Sequence, residues 1–302
     1  MAKVETQSAR RFALKLSIST GCLYVFPLQW ALRRAADAGF DGIELAMGLE
    51  AALRGPIRVR QLAGAHKLKV LSVHPPLFPL PGWNRFEDTV KLVDFAADVG
   101  ASVVVQHTPD TSDLDSPDGK AWRRAIDVAR RRGVNRGVTL ALENRAIFWN
   151  RQRDYALAEP ESLYRFAEAH DFRLTLDTAH AASWPWDVME LYDLFRDRLV
   201  NLHLSDFKLL PAWLDHPRFH TYIKHHQLLG HGDLPLHELV QRVRMDGYVG
   251  LVTLELSPVA LRGWWPARLR SNLAASARFV RNGLALPSAG EPAATSLSRQ
   301  AR

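Results

Sequence analysis

Eight short runs rich in Val, Leu and Ile recur along this chain, separated by stretches in which apolar residues return at helical spacing. Strands that alternate with helices pair in parallel, and eight such units argue that the sheet closes on itself. The runs read as strands at Leu14–Ser19, Gly42–Leu45, Lys69–His74, Ser102–His107, Val138–Glu143, Phe172–Asp177, Leu199–Leu204 and Val249–Leu256. Pro27, Pro160 and Pro235 are placed to open helices, and Ser116 with Pro117 makes an N-cap and first-turn pair. Further helices are expected near Ile57–Lys67 and Asp187–Phe195. One more carries Phe86, Val90, Val93 and Ala97, and a last one Leu269, Leu273, Ala277 and Val280. The expected fold is α/β, a single (β/α)8 barrel over residues 13–285, after an N-terminal extension (1–12) and before a disordered, small and polar tail (286–302). Such barrels typically take about 250 residues, so 302 residues do not force a second domain.

Composition narrows the setting. An apolar fraction of 47% with 24% charged residues suits a globular chain. The single cysteine, Cys22, excludes an internal disulfide framework and suits a reducing cytosol, so a cytoplasmic location is expected. No apolar run is long enough to span a bilayer, which removes a membrane role. Arg10 and Arg11 precede an apolar stretch, but Lys15 interrupts it, and a strand fits better there than a leader peptide. The net charge of +7 raises the question of nucleic acid. Its densest basic run, Arg130 to Arg132, reads as a helix end before Gly133, on the face away from the strand C-termini, where it favours the helix dipole. Nucleic acid is therefore disfavoured as a partner without being removed, and homo-oligomer formation is compatible with this kind of barrel.

Six of the strands run into a histidine or an acid: His74, His107, Glu143, Asp177, His203 and Glu255. The C-terminal strand ends of a parallel barrel meet at one mouth, so these groups are expected to converge. Glu143, Asp177, His203 and Glu255 form a mixed nitrogen and oxygen set suited to Mn2+, Co2+, Mg2+ or Zn2+. His74 and His107 sit on adjacent strands, where they complete a second site bridged by Glu143. His180, one turn after Asp177, faces the same pocket and serves a second metal or a substrate oxygen. Arg145, Arg151 and Arg153 lie in a long connection that also holds Phe148 and Trp149, where they are candidates to meet an anionic substrate group. The connection from Ser205 to Leu234 carries five of the chain's 12 histidines; among these, His216 and His220 read as surface residues of a capping loop.

Taken in order, GFDGIEL (Gly39–Leu45), LEN (Leu142–Asn144), LDTAH (Leu176–His180), HLSD (His203–Asp206), LGHGDLP (Leu229–Pro235) and LEL (Leu254–Leu256) make a set that resembles the xylose isomerase-like TIM-barrel superfamily. That superfamily includes sugar phosphate isomerases and epimerases and the endonuclease IV type of AP endonuclease. In the epimerase branch the resemblance implies that Glu143, Asp177, His203 and Glu255 bind a divalent metal. Glu143 and Glu255 also act as the acid/base pair on a small, sugar-like substrate, and His180 contacts a substrate oxygen. A dehydratase or lyase shares the same first proton abstraction. An arginine that some epimerases carry shortly after the strand-seven histidine is replaced here near Leu209, which argues against the ketose 3-epimerase subclass. In the nuclease branch, which acts on abasic DNA, seven of nine zinc ligands match His74, His107, Glu143, Asp177, His180, His203 and Glu255. The remaining Asp-x-His pair falls on Lys224 and His226, so the histidine is kept and the carboxylate is lost.

Overall fold

The computed structural model describes residues 14–147, 155–184, 186–216 and 219–284. The expected extension 1–12 and tail 286–302 lie outside the described residues, as do Phe148, Trp149, Arg151 and Arg153. Eight parallel strands close in chain order: β1 (Lys15–Ser19), β2 (Gly42–Ala46), β3 (Lys69–His74), β4 (Val103–His107), β5 (Thr139–Glu143), β6 (Arg173–Asp177), β7 (Leu199–Leu204) and β8 (Leu251–Leu254). Around them run α1 (Leu28–Asp37), α2 (Leu49–Ala65), α3 (Asp88–Val99), α4 (Pro117–Arg136), α5 (Pro160–Ala169), α6 (Thr178–Ser183), α7 (Val188–Phe195), α8 (Leu236–Met245) and α9 (Pro266–Leu284). The barrel anticipated from periodicity is therefore the fold observed.

Side chains alternate along a strand, so each β-strand sends one set outward to the helices and one inward. The outward set joins the helices' apolar faces in one continuous core, with Leu163, Phe172, Phe195 and Trp122 among its buried members. The inward set is different. A small aliphatic plug of Leu71, Val103, Ala141 and Leu251 fills one level, and polar residues fill the next. There Ser17 Oγ meets Thr253 Oγ1 at 2.7 Å, Thr253 donates to Asn201 Oδ1, and Asn201 and Ser72 both donate to Glu44 Oε2. The strands' register carries this order up to the mouth, where His107 lies beside Glu143 and Asp177 beside His203.

The structure corrects several local expectations. The basic run does not end its helix before Gly133, because α4 continues to Arg136 and is closed by Gly137 at φ 69°. Gly133 serves packing instead: a Cβ there would come within 2.4 Å of the Val138 carbonyl oxygen. Arg131, Arg132 and Arg136 pair with Asp127, Asp94 and Asp98 along α3 and α4, so the run is neutralised at the helix surface. The second helix starts at Leu49, earlier than expected, and is interrupted at Gly55 (φ 72°) before Pro56. In α3 the buried face is Leu92, Val93, Ala96 and Val99, while Phe86 precedes the helix. The short helix α6 was not foreseen, because Asp177 serves both as a strand end and as its N-cap, accepting from His180 N at 2.7 Å.

The Ser116 cap is present as expected, with its Oγ accepting from Gly119 N at 3.1 Å. Replacing Ser116 by Ala should cost about 1 kcal/mol of stability by removing that acceptor. Urea unfolding measures this, and a midpoint equal to that of the parent protein would show the cap to be idle.

Candidate functional site

His203 organises the floor of the mouth. Its Nδ1 lies 2.8 Å from Glu143 Oε1, 3.6 Å from Glu255 Oε1 and 4.0 Å from Asp177 Oδ2. Its Nε2 lies 3.0 Å from Glu44 Oε2 on the opposite side. Donor atoms of Glu143, Asp177, His203 and Glu255 all fall within 4.8 Å of one another. Two buried carboxylate oxygens in this group, Glu143 Oε2 and Asp177 Oδ2, accept no hydrogen bond, although His107 Nε2 approaches the former at 3.0 Å. Buried anionic oxygens left this way are costly unless a cation meets them. Hard oxygen donors with one imidazole fit a divalent ion.

Two further trios flank this group. His74, His107 and Glu143 form one, and Asp177, His180 and His226 the other. His74 Nδ1 is held by the Pro75 carbonyl at 2.8 Å, which turns its Nε2 toward His107 Nε2 at 3.1 Å. His180 Nδ1 lies 3.0 Å from the Asn144 carbonyl, and its ring meets that of His226 edge-on. His74 and His107 thus fall in one trio, and His180 and His226 in the other. They do not converge as one set.

The short motifs account for this placement. The Asn144 side chain pairs with both backbone groups of Asp177, fixing the ends of β5 and β6 against each other. Thr178 Oγ1 donates to the Ser205 carbonyl and accepts from Ser205 N, which ties the LDTAH and HLSD segments together. Asp206 accepts from Gly232 N and Leu234 N, so the LGHGDLP segment is anchored under the barrel mouth without contributing a ligand. Gly232 is required there, since a Cβ would meet Asp206 Oδ1 at 2.4 Å.

Arg145 is placed elsewhere. Its guanidinium donates to the Thr108 carbonyl, stacks over the Tyr155 ring at 4.1 Å and lines a neighbouring cavity that includes His107. Lys224 pairs with Asp215 at 2.8 Å, an acid that also accepts from His220. Glu44 was not singled out as a site residue, because it is not the last residue of its strand. Strand parity is the signal that finds it: a carboxylate at an inward position of an otherwise apolar run, two residues before Ala46.

The charges are split between near neighbours. Burial favours the neutral form of Glu143, yet the charge and hydrogen bonds of His203, together with His107 and His74, hold it well below the usual carboxylate range. Burial wins at Glu255, which is pushed up to about 7 with help from Glu44 and Glu143. Glu44 is drawn down to about 2 against its burial, chiefly by His203. His203 is raised well above its ordinary value and His74 to about 9, since the surrounding carboxylates outweigh desolvation. Burial lowers His107 and His226. The two glutamates are thus pushed apart in pKa, Glu143 held ionised and Glu255 titrating near neutrality.

A family model described as xylose isomerase-like TIM barrel matches residues 32–282. An uncharacterised protein of Mycobacterium tuberculosis is 28% identical over 296 residues, covering 91% of this chain and 99% of its own. One of Mycobacterium leprae is 26% identical over 300 residues, with the same coverage of 91% and 99%. Among solved structures, a 3-keto-D-glucoside 4-epimerase of E. coli matches at a TM-score of 0.65 and 18% identity, covering 88% of this chain and 99% of its own. The D-psicose 3-epimerase of Clostridium cellulolyticum H10 matches at 0.65 and 16%, covering 90% and 99%. A probable 3-DHS dehydratase of Bacillus anthracis matches at 0.65 and 15%, covering 89% and 99%. At these identities the likeness to solved structures is one of fold.

The charge pattern sets a pH dependence. His74, raised from 6.5 to about 9, contributes stability that is complete below pH 6.5 and lost as the pH climbs through 9. His203 acts with the same sign. Glu44, lowered from 4.5 to about 2, contributes stability present above pH 4.5 and lost on acidification through 2. The chelated protein should therefore melt progressively lower between pH 6.5 and 9. A divalent ion competes with the same protons, so its stabilising effect should grow over that interval. Thermal melts with chelator and with Mn2+ test both trends, and a flat or rising melting curve in chelator contradicts the charge assignment.

Proposed function

The chain belongs to the xylose isomerase-like TIM-barrel family, and from that premise we propose that it is a divalent-metal-dependent isomerase or epimerase of a small polyhydroxylated substrate. The observation that carries the reading is the gathering of donor atoms of Glu143, Asp177, His203 and Glu255 within 4.8 Å of one another, with a buried carboxylate oxygen of Glu143 and one of Asp177 accepting no hydrogen bond. These four residues would hold the ion, and a bound Mn2+, Co2+, Mg2+ or Zn2+ supplies polarisation of a substrate carbonyl or hydroxyl. Glu143, held anionic, removes the proton from the carbon next to the carbonyl. Glu255 carries a proton back to the same or the adjacent carbon, so no oxidant or reductant is needed. His180, His74 and His107 line the cavity above and meet substrate oxygens. Either flanking trio would suit a second ion, with His74 oriented by the Pro75 carbonyl in one and His180 by the Asn144 carbonyl in the other.

Glu44 is assigned a positioning role. By accepting from His203 Nε2 it directs Nδ1 to the metal side, and Ser72 and Asn201 hold its carboxylate in turn. Glu44→Gln should weaken Co2+ binding by about 10–100-fold, the usual effect of losing such an outer partner, and alter the Co2+ absorption spectrum. An unchanged affinity and spectrum would remove Glu44 from the site.

The names of the solved relatives support the reading at the level of proton transfer beside a carbonyl; two are epimerases and one a probable dehydratase. An abasic-DNA phosphodiesterase is the second reading, favoured by the trio Asp177, His180 and His226. Against it, Lys224 stands where the branch's remaining carboxylate belongs and is engaged by Asp215. Among the described residues, the cavity above the site presents no lysine or arginine for phosphates. A nicking assay on abasic duplex separates the two readings.

The decisive experiment is a screen of ketoses and sugar phosphates for exchange of carbon-bound hydrogen with solvent deuterium. Exchange should vanish on chelation, return with Mn2+ or Co2+, and fall by about 10^2–10^4-fold in Glu143→Gln and in Glu255→Gln. Turnover that persists in chelator, or survives either substitution, defeats the proposal.

A further inference from the structure

We infer that the substrate carries an apolar substituent, which is seated in a side cavity sharing one rim with the catalytic mouth. The inference rests on the proposed function and adds a substrate class to it. The cavity directly above the site has a volume of about 440 Å3, with His74, His107, His180 and Glu255 at its base. A second cavity of about 370 Å3 lies between α1, the end of β2, the start of α2 and the segment after β3. Both are lined by Gly21, Tyr24, Leu77 and Phe78, so the two share one rim. The rim is built of apolar contacts: the Tyr24 and Phe78 rings stand 5.0 Å apart, and Leu77 covers Gly21 so closely that an added Cβ would fall 2.7 Å from Leu77 Cδ1.

The chemistry of the side cavity is one-sided. Leu23, Leu45, Met47 and Leu80 are buried in its walls, and Leu49 stands 63% exposed at its edge. Among the described residues its single charged lining residue is Glu50, and both of that carboxylate's oxygens are committed. Oε2 accepts from Leu28 N at 2.7 Å, capping α1, and Oε1 accepts from Arg54 at 2.9 Å. Among the described residues, neither cavity is lined by a lysine or an arginine; Arg85 and Arg145 line the adjoining cavity that also touches Pro76 and His107, so charged and apolar groups of a ligand would be taken to different sides of the mouth. A polar floor joined to an apolar annex matches a ligand with the same two halves, such as a keto sugar bearing an alkyl or aryl aglycone, for which simple alkyl glucosides are unreactive binding analogues. Leaving that half in water would forgo the gain from burying it.

The test is calorimetric binding of methyl, butyl and hexyl β-D-glucosides to the Mn2+-loaded protein. Affinity should rise along the series, up to about fourfold per methylene where burial is complete. Leu49→Asp should flatten the series. Leu53→Asp, which changes a residue 78% exposed on the same helix and outside the cavity lining, should leave the slope intact. A series equally steep in Leu49→Asp, a flat series in the parent protein, or no measurable binding of the hexyl glucoside overturns the inference. So does a concentration-dependent dimer abolished by Leu49→Asp, since the apolar surface would then belong to a second copy. Metal dependence of methyl glucoside binding, measured alongside, reports on the proposed function alone, so the two readings can fail separately.

Discussion

The barrel mouth is organised by one imidazole held between two buried carboxylates. His203 is itself buried and has Glu44 at 3.0 Å on one nitrogen and Glu143 at 2.8 Å on the other. Removing several anions from water costs several kcal/mol for each ion unless they are paired. Four acids converge here with His203 as their central counter-charge. The site is therefore short of positive charge by construction. That deficit explains why His74 and His203 hold their protons so strongly, why Glu255 keeps its own, and why a divalent cation is the natural completion.

The closed sheet makes this arrangement sustainable. Backbone hydrogen bonds are satisfied around the ring, so the inward positions need not all be aliphatic. The polar level of Ser17, Thr253, Asn201, Glu44 and Ser72 forms a connected chain of donors and acceptors beneath the site. A connected buried network of this kind fixes orientation more firmly than isolated pairs can. The stabilising apolar core lies outside the ring, between strands and helices. Function and stability thus occupy opposite faces of the same strands, and the site can accumulate like charges without loosening the core.

Much of this was legible in the chain. Strand ends are well marked where an apolar run meets a lone acid or histidine, and the barrel register then brings Glu143 beside His107 and Asp177 beside His203. Helix ends were harder to read. Gly133 looks like a stop, but it is the close approach of the Val138 carbonyl that requires glycine, a long-range fact invisible to local pattern. Glu44 was missed for a related reason. Its role depends on reaching across the barrel to a strand more than 150 residues later, and only inward parity hints at it. The division of four histidines into two sites depended on ring orientation, set by the Pro75 and Asn144 carbonyls, which spacing alone does not encode.

The histidine-rich connection after β7 shows how misleading composition can be when a site is sought. His220, expected at the surface, is instead buried and spent on Asp215, and His225 is buried beside it, with burial drawing its pKa down to about 2. His216 packs on Phe219, and His231 is exposed. Only His226 reaches the metal-ligand trio, from a backbone at φ 52° that a histidine seldom adopts. The loop's other polar residues hold the loop itself: Asp215 binds His220 and Lys224, and Gln227 pairs with Asp206. A connection tied down so thoroughly is poorly suited to adapting to different ligands. The opposite side of the mouth, built by the segments after β1, β2 and β3, is lined by exposed Tyr24, Leu77 and Phe78. Under the proposed function, selectivity for one substrate over another would fall chiefly to that apolar side, facing Thr221, Tyr222 and His226 of the histidine-bearing loop across the same cavity.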